Sequence, residues 1–280
     1  MGLRINNNIE AMNSYRNLNL TSNRLSKSLE KLSSGLRINR AADDAAGLSI
    51  SEGLRSQVAG FKVASRNAQD GVSLIQTAEG ALSETTNLLQ RVRDLAVQAA
   101  NSGANDQASR DAIGREVTQA LQEIDRIASA TVYGSKTLLD GTQSGGMTFH
   151  VGYNGSSFNA ITVAINGMGS SALALTLSNI VSAITGANAA SALASIDAAL
   201  TTVTTARSNL GSFQNRLEST IGNLGVAVEN LSASESRIRD TDMADEMTSF
   251  SKSQILQQAG TAMLAQANSL PQSVLQLLRG

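Results

Sequence analysis

The chain has 280 residues, and 22 Lys and Arg against 23 Asp and Glu leave a net charge of -1. That balance offers no basic surplus to neutralise a phosphate backbone, which argues against a nucleic-acid partner. The absence of cysteine excludes disulfides, thiolate metal sites and thiol nucleophiles, and a single proline, Pro271, leaves helices almost uninterrupted.

The first residues, Met1-Gly-Leu-Arg-Ile-Asn-Asn-Asn8, contain no apolar stretch of the kind that makes a cleavable signal peptide. Asn6 stands where a myristoylation site needs Ser or Thr. No apolar run approaches the ~18 residues needed to span a bilayer, so no membrane partner is expected.

Apolar residues spaced by three and four predict a first helix. Its seam is Ile5, Ile9, Met12, Tyr15 and Leu18, resuming after Ser22 as Leu25, Leu29, Leu32 and Leu36. Asn39-Arg-Ala-Ala-Asp-Asp44 reads as a polar break, with Asp43 and Asp44 as turn and cap. A long helix is expected from about Ser65 to Ala100, with the seam Leu74, Ala78, Ala81, Thr85, Leu88, Val92, Leu95 and Ala99. After the turn residues Asn101 to Asn105, a helix from about Asp106 to Ser129 carries Ile113, Val117, Leu121, Ile124 and Ile127. Asp106 with Arg110 and Asp111 with Arg115 are spaced as stabilising i,i+4 pairs. These two helices should form an antiparallel hairpin.

From about 142 to 169 the chain fills with Gly, Ser and Asn. Met147 to Tyr153 and Ala160 to Ile165 read as the strands of a β-hairpin around Asn154-Gly155. Helix returns at about Ser191 and runs to Arg239 on the seam Leu217, Ile221, Leu224, Val228, Leu231 and Ile238. At ~1.5 Å per residue it spans roughly 70 Å. Asp240-Thr-Asp-Met-Ala-Asp-Glu246 begins like a calcium loop, but Asp245 stands where Gly is needed and Ser251 where Glu is needed. Its acids read as a helix start. The last seam is Leu256, Gly260, Met263, Ala267, Leu270, Val274 and Leu277, with a kink and restart expected near Ser269 and Pro271.

The expected fold is mainly α: a long antiparallel helical bundle or coiled coil formed by the N- and C-terminal halves, with a small β-hairpin insert. Neither terminal segment has a partner in its own half, so the two should pair with each other. Ile255, Leu264, Leu275 and Leu278 flank the last seam and make it wider than one partner helix covers. That points to contacts with other subunits, and head-to-tail contacts that fail to close make helical filaments. Coiled-coil seams alone do not distinguish a filament from a dimeric scaffold.

No chemistry emerges. His150 is the only histidine, leaving no pair for a zinc-peptidase motif and no ready triad. Gly145-Gly146 and Gly167-Met-Gly169 lack the context of a phosphate cradle. No catalytic residue, metal or cofactor is expected.

Leu32-Ser-Ser-Gly-Leu-Arg-Ile-Asn39 followed by Arg40-Ala-Ala-Asp-Asp-Ala-Ala-Gly-Leu-Ser-Ile50 resembles bacterial flagellin. So do Asn67-Ala-Gln-Asp-Gly71, Gln76-Thr-Ala-Glu-Gly80, Gln90-Arg-Val-Arg-Asp-Leu-Ala-Val-Gln98, Ile238-Arg-Asp-Thr-Asp-Met243 and Leu270-Pro-Gln-Ser-Val-Leu-Gln-Leu-Leu278. The resemblance covers roughly 1 to 140 and 190 to 280. It implies a structural subunit that self-assembles into the extracellular flagellar filament, in a short form lacking outer variable domains. A junction protein between hook and filament and a non-polymerising secreted receptor ligand are the alternatives.

The resemblance further implies a terminal coiled-coil domain of residues 1–42 with 241–280. It would form the filament core through Leu25, Leu29, Leu32, Met263, Leu270, Val274 and Leu277. Residues 43–240 would form the adjoining helical domain with its β insert. Implied partners are further copies of the chain, an export chaperone at the C-terminal helix, and the filament-cap and hook-junction proteins. Export would use the flagellar type III apparatus. Arg91, Leu95 and Glu116 match positions that engage the innate immune receptor TLR5, although Leu95 also lies on the packing seam. Val274, Leu275, Leu277 and Leu278 match the part sensed by cytosolic NAIP receptors.

Overall fold

A computed structural model describes residues 7–101, 103, 105–185 and 189–279, with the backbone alone over 270–279. Among the described residues the chain order is α1 (Ile9–Ser34), α2 (Ala45–Ala100), α3 (Gln107–Ala130), β1 (Val132–Tyr133), β2 (Lys136–Thr137), β3 (Met147–His150), a 3-10 turn (Ser157–Asn159), β4 (Ala160–Val163), α4 (Leu177–Thr185), α5 (Ala189–Arg239) and α6 (Met243–Arg279). The chain divides into two compact units, residues 1–56 with 230–280, and residues 57–229. The division falls inside α2 and α5, whereas the helices themselves are interrupted between α1 and α2 and between α5 and α6.

In the first unit, α1 starts where the Asn8 side chain accepts from the Ala11 amide at 3.0 Å. It ends at Gly35, whose left-handed φ of 73° lets its amide donate back to Lys31 O. The helix runs antiparallel to α6. Asn8 Nδ2 donates to Ala267 O at 2.7 Å at one end, and Lys31 Nζ meets Glu246 Oε2 at 3.5 Å at the other. The buried and half-buried faces are Ala11, Ser14, Leu18, Thr21, Leu25, Ser28 and Leu32 on α1, and Phe250, Ser253, Gln257, Gly260, Leu264 and Ala267 on α6. Both sets alternate steps of three and four, as a coiled-coil seam requires. This corrects the expected seams, because Ile9, Met12, Tyr15, Leu29, Leu256 and Met263 are all exposed. The inner face mixes small residues (Ala11, Ser14, Ser28, Ser253, Gly260 and Ala267) with Leu18, Leu25, Leu32, Phe250 and Leu264, and the remaining large apolar side chains of both helices stay outside.

The break between α1 and α2 is tied to the break between α5 and α6. Leu36 and Asp240 form an antiparallel bridge. The Arg37 amide donates to Arg239 O at 2.7 Å, and the Thr241 amide to Gly35 O at 3.0 Å. Arg239 Nη1 reaches Glu52 at 2.6 Å. Asp44 caps α2 by accepting from the Gly47 amide at 2.8 Å. α2 therefore begins about twenty residues before the expected start, a stretch that Gly47, Gly53 and Gly60 disguise by their low helix propensity.

The second unit has an apolar core drawn from α2, α3, α4, α5 and the β segment. The α2 seam is as expected at Leu74, Ala78, Thr85, Val92, Leu95 and Ala99. It is doubled by a second row, Ala68, Ile75, Leu82, Leu89 and Ala96, at intervals of seven. α3 contributes Ile113, Val117, Leu121 and Ile124, and α5 contributes Ile196, Val203, Leu210 and Leu217. Arg93 Nε with Asp197 at 2.8 Å, and Gly71 against Leu217, fix α5 antiparallel to α2. Asp106 caps α3 through the Ser109 amide at 2.8 Å, and Asp111 accepts from Gln107 Nε2 at 2.9 Å. Arg110 lies near enough to help hold the Asp106 carboxyl down, while its Nη2 donates to Gln107 Oε1 at 3.0 Å.

The expected β-hairpin is present, with Met147 opposite Val163 and His150 opposite Ala160. Its strands are shorter than predicted, because the 3-10 turn takes up the connection. The small β1–β2 ladder around Gly134 and the short helix α4 were not anticipated. Two-residue strands carry no readable periodicity, and α4 spans only nine residues. α6 runs without a break through Pro271, so the expected restart does not occur.

Candidate assembly surface

Residues 57–229 bury most of their large apolar side chains in one core, although Phe158, Val226 and Val132 stay exposed. In contrast, α1 and α6 leave ten of theirs exposed and hold others, such as Leu18, Leu25 and Leu264, half-buried at their seam. Ile9, Met12, Tyr15, Leu20 and Leu29 of α1 are exposed, as are Met243, Met247, Ile255, Leu256 and Met263 of α6. On α6, Met247, Ile255 and Leu256 line an open groove of about 500 Å³ with Thr248, Ser251 and Lys252. Lys252 is the only charged residue of that lining.

Covering one half-exposed Leu, Ile or Met is worth on the order of 1 kcal/mol. Ten such side chains together match the roughly 4–15 kcal/mol that association costs in lost freedom. A lone exposed leucine needs no explanation, but ten large apolar side chains exposed on one pair of helices do. Leu20, Met243 and Met247 were not singled out from the sequence, because they lie off the heptad positions on which it was read.

Of the expected core residues, Leu25 and Leu32 sit half-buried at the α1–α6 seam, while Leu29 and Met263 face outward. The side chains of Leu270, Val274, Leu275, Leu277 and Leu278 lie outside the described residues. Arg91 and Glu116 are brought together across α2 and α3, with Nε and Nη2 of the arginine donating to Glu116 Oε1 at 2.9 and 2.6 Å. Both side chains stay substantially exposed. Leu95 is different: it is 2% exposed and part of the core.

Titratable groups serve the turns rather than a reaction. The Arg40 amide, with help from the Asn39 amide, holds the Asp43 carboxyl below its ordinary range. Thr137, and then Thr142, do the same for Asp140. His150 is exposed on β3, and its carbonyl accepts from Asn67 Nδ2 at 3.0 Å. Among the described residues no group of three His, Asp or Glu side chains could hold a metal ion. No helix among them is long and apolar enough to cross a membrane.

A subunit with a closed helical body and an apolar, outward-facing pair of terminal helices belongs to the class of self-assembling filament proteins. The family of bacterial flagellin matches in two parts: its N-terminal helical region over residues 5–144 and its C-terminal helical region over residues 193–278. The flagellin of Halalkalibacterium halodurans is 50% identical over 275 residues, covering 98% of this chain and 99% of that one. The flagellar filament core protein of Brachyspira hyodysenteriae is 47% identical over 288 residues, with 98% and 99% covered. The chain therefore belongs to the bacterial flagellin family. It is a structural subunit of the flagellar filament, not an enzyme, and its relatives match it nearly end to end, as suits a short form. A solved structure from Vibrio parahaemolyticus, described as flagellar hook-associated, shares the fold with a TM-score of 0.61 at 14% identity, covering 71% of this chain and 100% of that one.

Proposed function

We propose that residues 1–42 and 241–280 form the filament core and that subunits join through the outward faces of α1 and α6. The observation that carries this reading is that ten large apolar side chains on the two helices are left exposed, although the α1–α6 seam is already occupied by Leu18, Leu25, Leu32, Phe250 and Leu264 beside its small residues. Leu25 and Leu32 hold the pair together, Leu29 and Met263 face the neighbouring subunit, and Leu270, Val274 and Leu277 continue the same function along α6. Before assembly, the groove at Met247, Ile255 and Leu256 is the apolar surface that an export chaperone would cover. Secretion through the flagellar type III apparatus, and contacts with the filament-cap and hook-junction proteins at the filament ends, complete this reading.

The test is Leu29→Glu combined with Met263→Glu. Both sites are exposed, so the monomer should keep its circular dichroism spectrum and melting profile. Filament formation, followed by sedimentation and electron microscopy, should be lost. Filaments of normal yield from this variant would refute the reading.

The released monomer is also proposed to be recognised by TLR5 through the Arg91–Glu116 edge, with Leu95 acting from beneath by packing that edge in place. Recognition by NAIP receptors would use Val274, Leu275, Leu277 and Leu278. Arg91→Ala with Glu116→Ala should right-shift the TLR5 dose response of monomer, and an unchanged response would remove the assignment.

A further inference from the structure

The chain contains seven methionines, of which Met1 lies outside the described residues. The other six divide by unit. Met147 and Met168 are 5% and 2% exposed in the core of residues 57–229. Met12 of α1 and Met243, Met247 and Met263 of α6 are exposed by 66%, 48%, 50% and 63%. Those four thus lie among the apolar side chains left open on the two helices, and Met247 lines the groove there. No cysteine competes for an oxidant anywhere in the chain.

We propose that Met12, Met243, Met247 and Met263 are sites of reversible sulfoxide modification by hydrogen peroxide, and that this modification blocks assembly of the monomer. The inference rests on the outward faces of α1 and α6 being the assembly surface. The thioether Sδ attacks one peroxide oxygen and the O–O bond breaks. A sulfur–oxygen bond forms, sulfur loses two electrons, and the second oxygen leaves as water after taking the proton. A flexible apolar side chain becomes polar and chiral. A thioether adapts its shape to whatever apolar surface meets it, whereas a buried sulfoxide oxygen needs a hydrogen-bond donor that an apolar contact does not supply. The same burial that makes the oxidised monomer incompetent shields the thioethers once the filament has formed. The exposed monomer is therefore the sensitive state and the filament the resistant one.

The experiment treats full-length monomer and preformed filaments with hydrogen peroxide, maps added oxygen by peptide mass spectrometry, and measures the critical concentration for seeded assembly. The four sites should oxidise in monomer well before Met147 and Met168, and more slowly in filaments. The critical concentration of oxidised monomer should rise at least about tenfold, and methionine sulfoxide reductases should restore it. A variant carrying Met12→Leu, Met243→Leu, Met247→Leu and Met263→Leu is compared only with its own untreated form, whatever its starting critical concentration, and that value should not change on peroxide treatment. Fully oxidised wild type assembling at an unchanged critical concentration would overturn the inference. So would failure of the reductases to restore assembly, or equal peroxide sensitivity in the leucine variant. A companion variant with Gln at the same four positions separates the two readings. Normal assembly of that variant refutes the assembly surface itself, whereas its failure beside normal assembly of oxidised wild type refutes only the modification.

Discussion

Leu18 of α1 lies over Gly260 of α6, its Cδ1 3.2 Å from where a Cβ on that glycine would stand. The contact sits between the Asn8–Ala267 hydrogen bond and the Lys31–Glu246 pair, so it marks the middle of the seam. At that level of the seam one leucine fills the space that the glycine's missing side chain leaves.

Gly260 can therefore be tested by size. Gly260→Ala gains up to about 1 kcal/mol of helix propensity and asks Leu18 to move by a few tenths of an ångström, so the net change should be near zero. Gly260→Leu cannot be absorbed in that way and should cost about 1–3 kcal/mol through forced separation of the helices. Thermal unfolding followed by circular dichroism, together with the critical concentration for assembly, would separate the two variants.

Gly60 of α2 is a stricter case. A Cβ there would lie 2.8 Å from Tyr153 Cβ and 3.1 Å from Tyr153 Cα, so backbone as well as side chain must yield. Tyr153 also meets the Phe61 ring edge-on, with centroids 5.1 Å apart. Gly60→Ala should be destabilising by about 1–3 kcal/mol despite its better helix propensity. The chain has no tryptophan and three tyrosines, so tyrosine fluorescence would report the displacement. A melting temperature at or above wild type would show that the connection shifts freely.

Leu95 and Arg91 share a stretch of α2 but should respond very differently. Leu95→Ala empties a buried site and should cost about 2–5 kcal/mol. Arg91→Ala breaks an exposed ion pair with Glu116 and should cost less than about 1 kcal/mol. Denaturant titration of the two variants checks the contrast. A receptor assay on Leu95→Ala would confound unfolding with lost contact, and Leu95→Met, which conserves volume, is the better probe.

Asp106 predicts an acid-sensitive helix start. The Ser109 side chain, and then its backbone amide, hold the Asp106 carboxyl below its ordinary range, and a nearby Arg110 adds to this. A carboxylate whose folded pKa is lowered stabilises above its unfolded value, about 3.9, and that stability is lost as pH falls through the lowered folded value. Amide exchange at the first turn of α3 should thus show extra opening as pH drops below about 4. Asp106→Asn keeps a capping oxygen without a charge and should remove that pH dependence; an unchanged profile would assign it to another group.

Much of this molecule was legible one residue at a time. Heptad spacing gave the α2 seam from Leu74 to Ala99 and the reach of α5 to Arg239, because a helix with one covered face repeats every three or four residues wherever it lies. Turn chemistry located the β3–β4 hairpin, and Asp44 and Asp242 cap helices through local hydrogen bonds that depend on nothing distant, whereas Asp106, read as a partner of Arg110, proves to cap α3.

What the tertiary structure alone decided is which side of α1 and α6 is inside. Reading by hydrophobic spacing placed Ile9, Met12, Tyr15, Leu29, Leu256 and Met263 on the seam beside Leu18, Leu25, Leu32, Gly260 and Ala267; packing keeps the last five there, turns the first six outward and brings in Ser14, Ser28, Phe250 and Ser253. Periodicity reports that a face will be covered, not by what. Close approach of two backbones at Gly260 selects a small residue at that level of the seam, while ten large apolar side chains on the same two helices stay exposed.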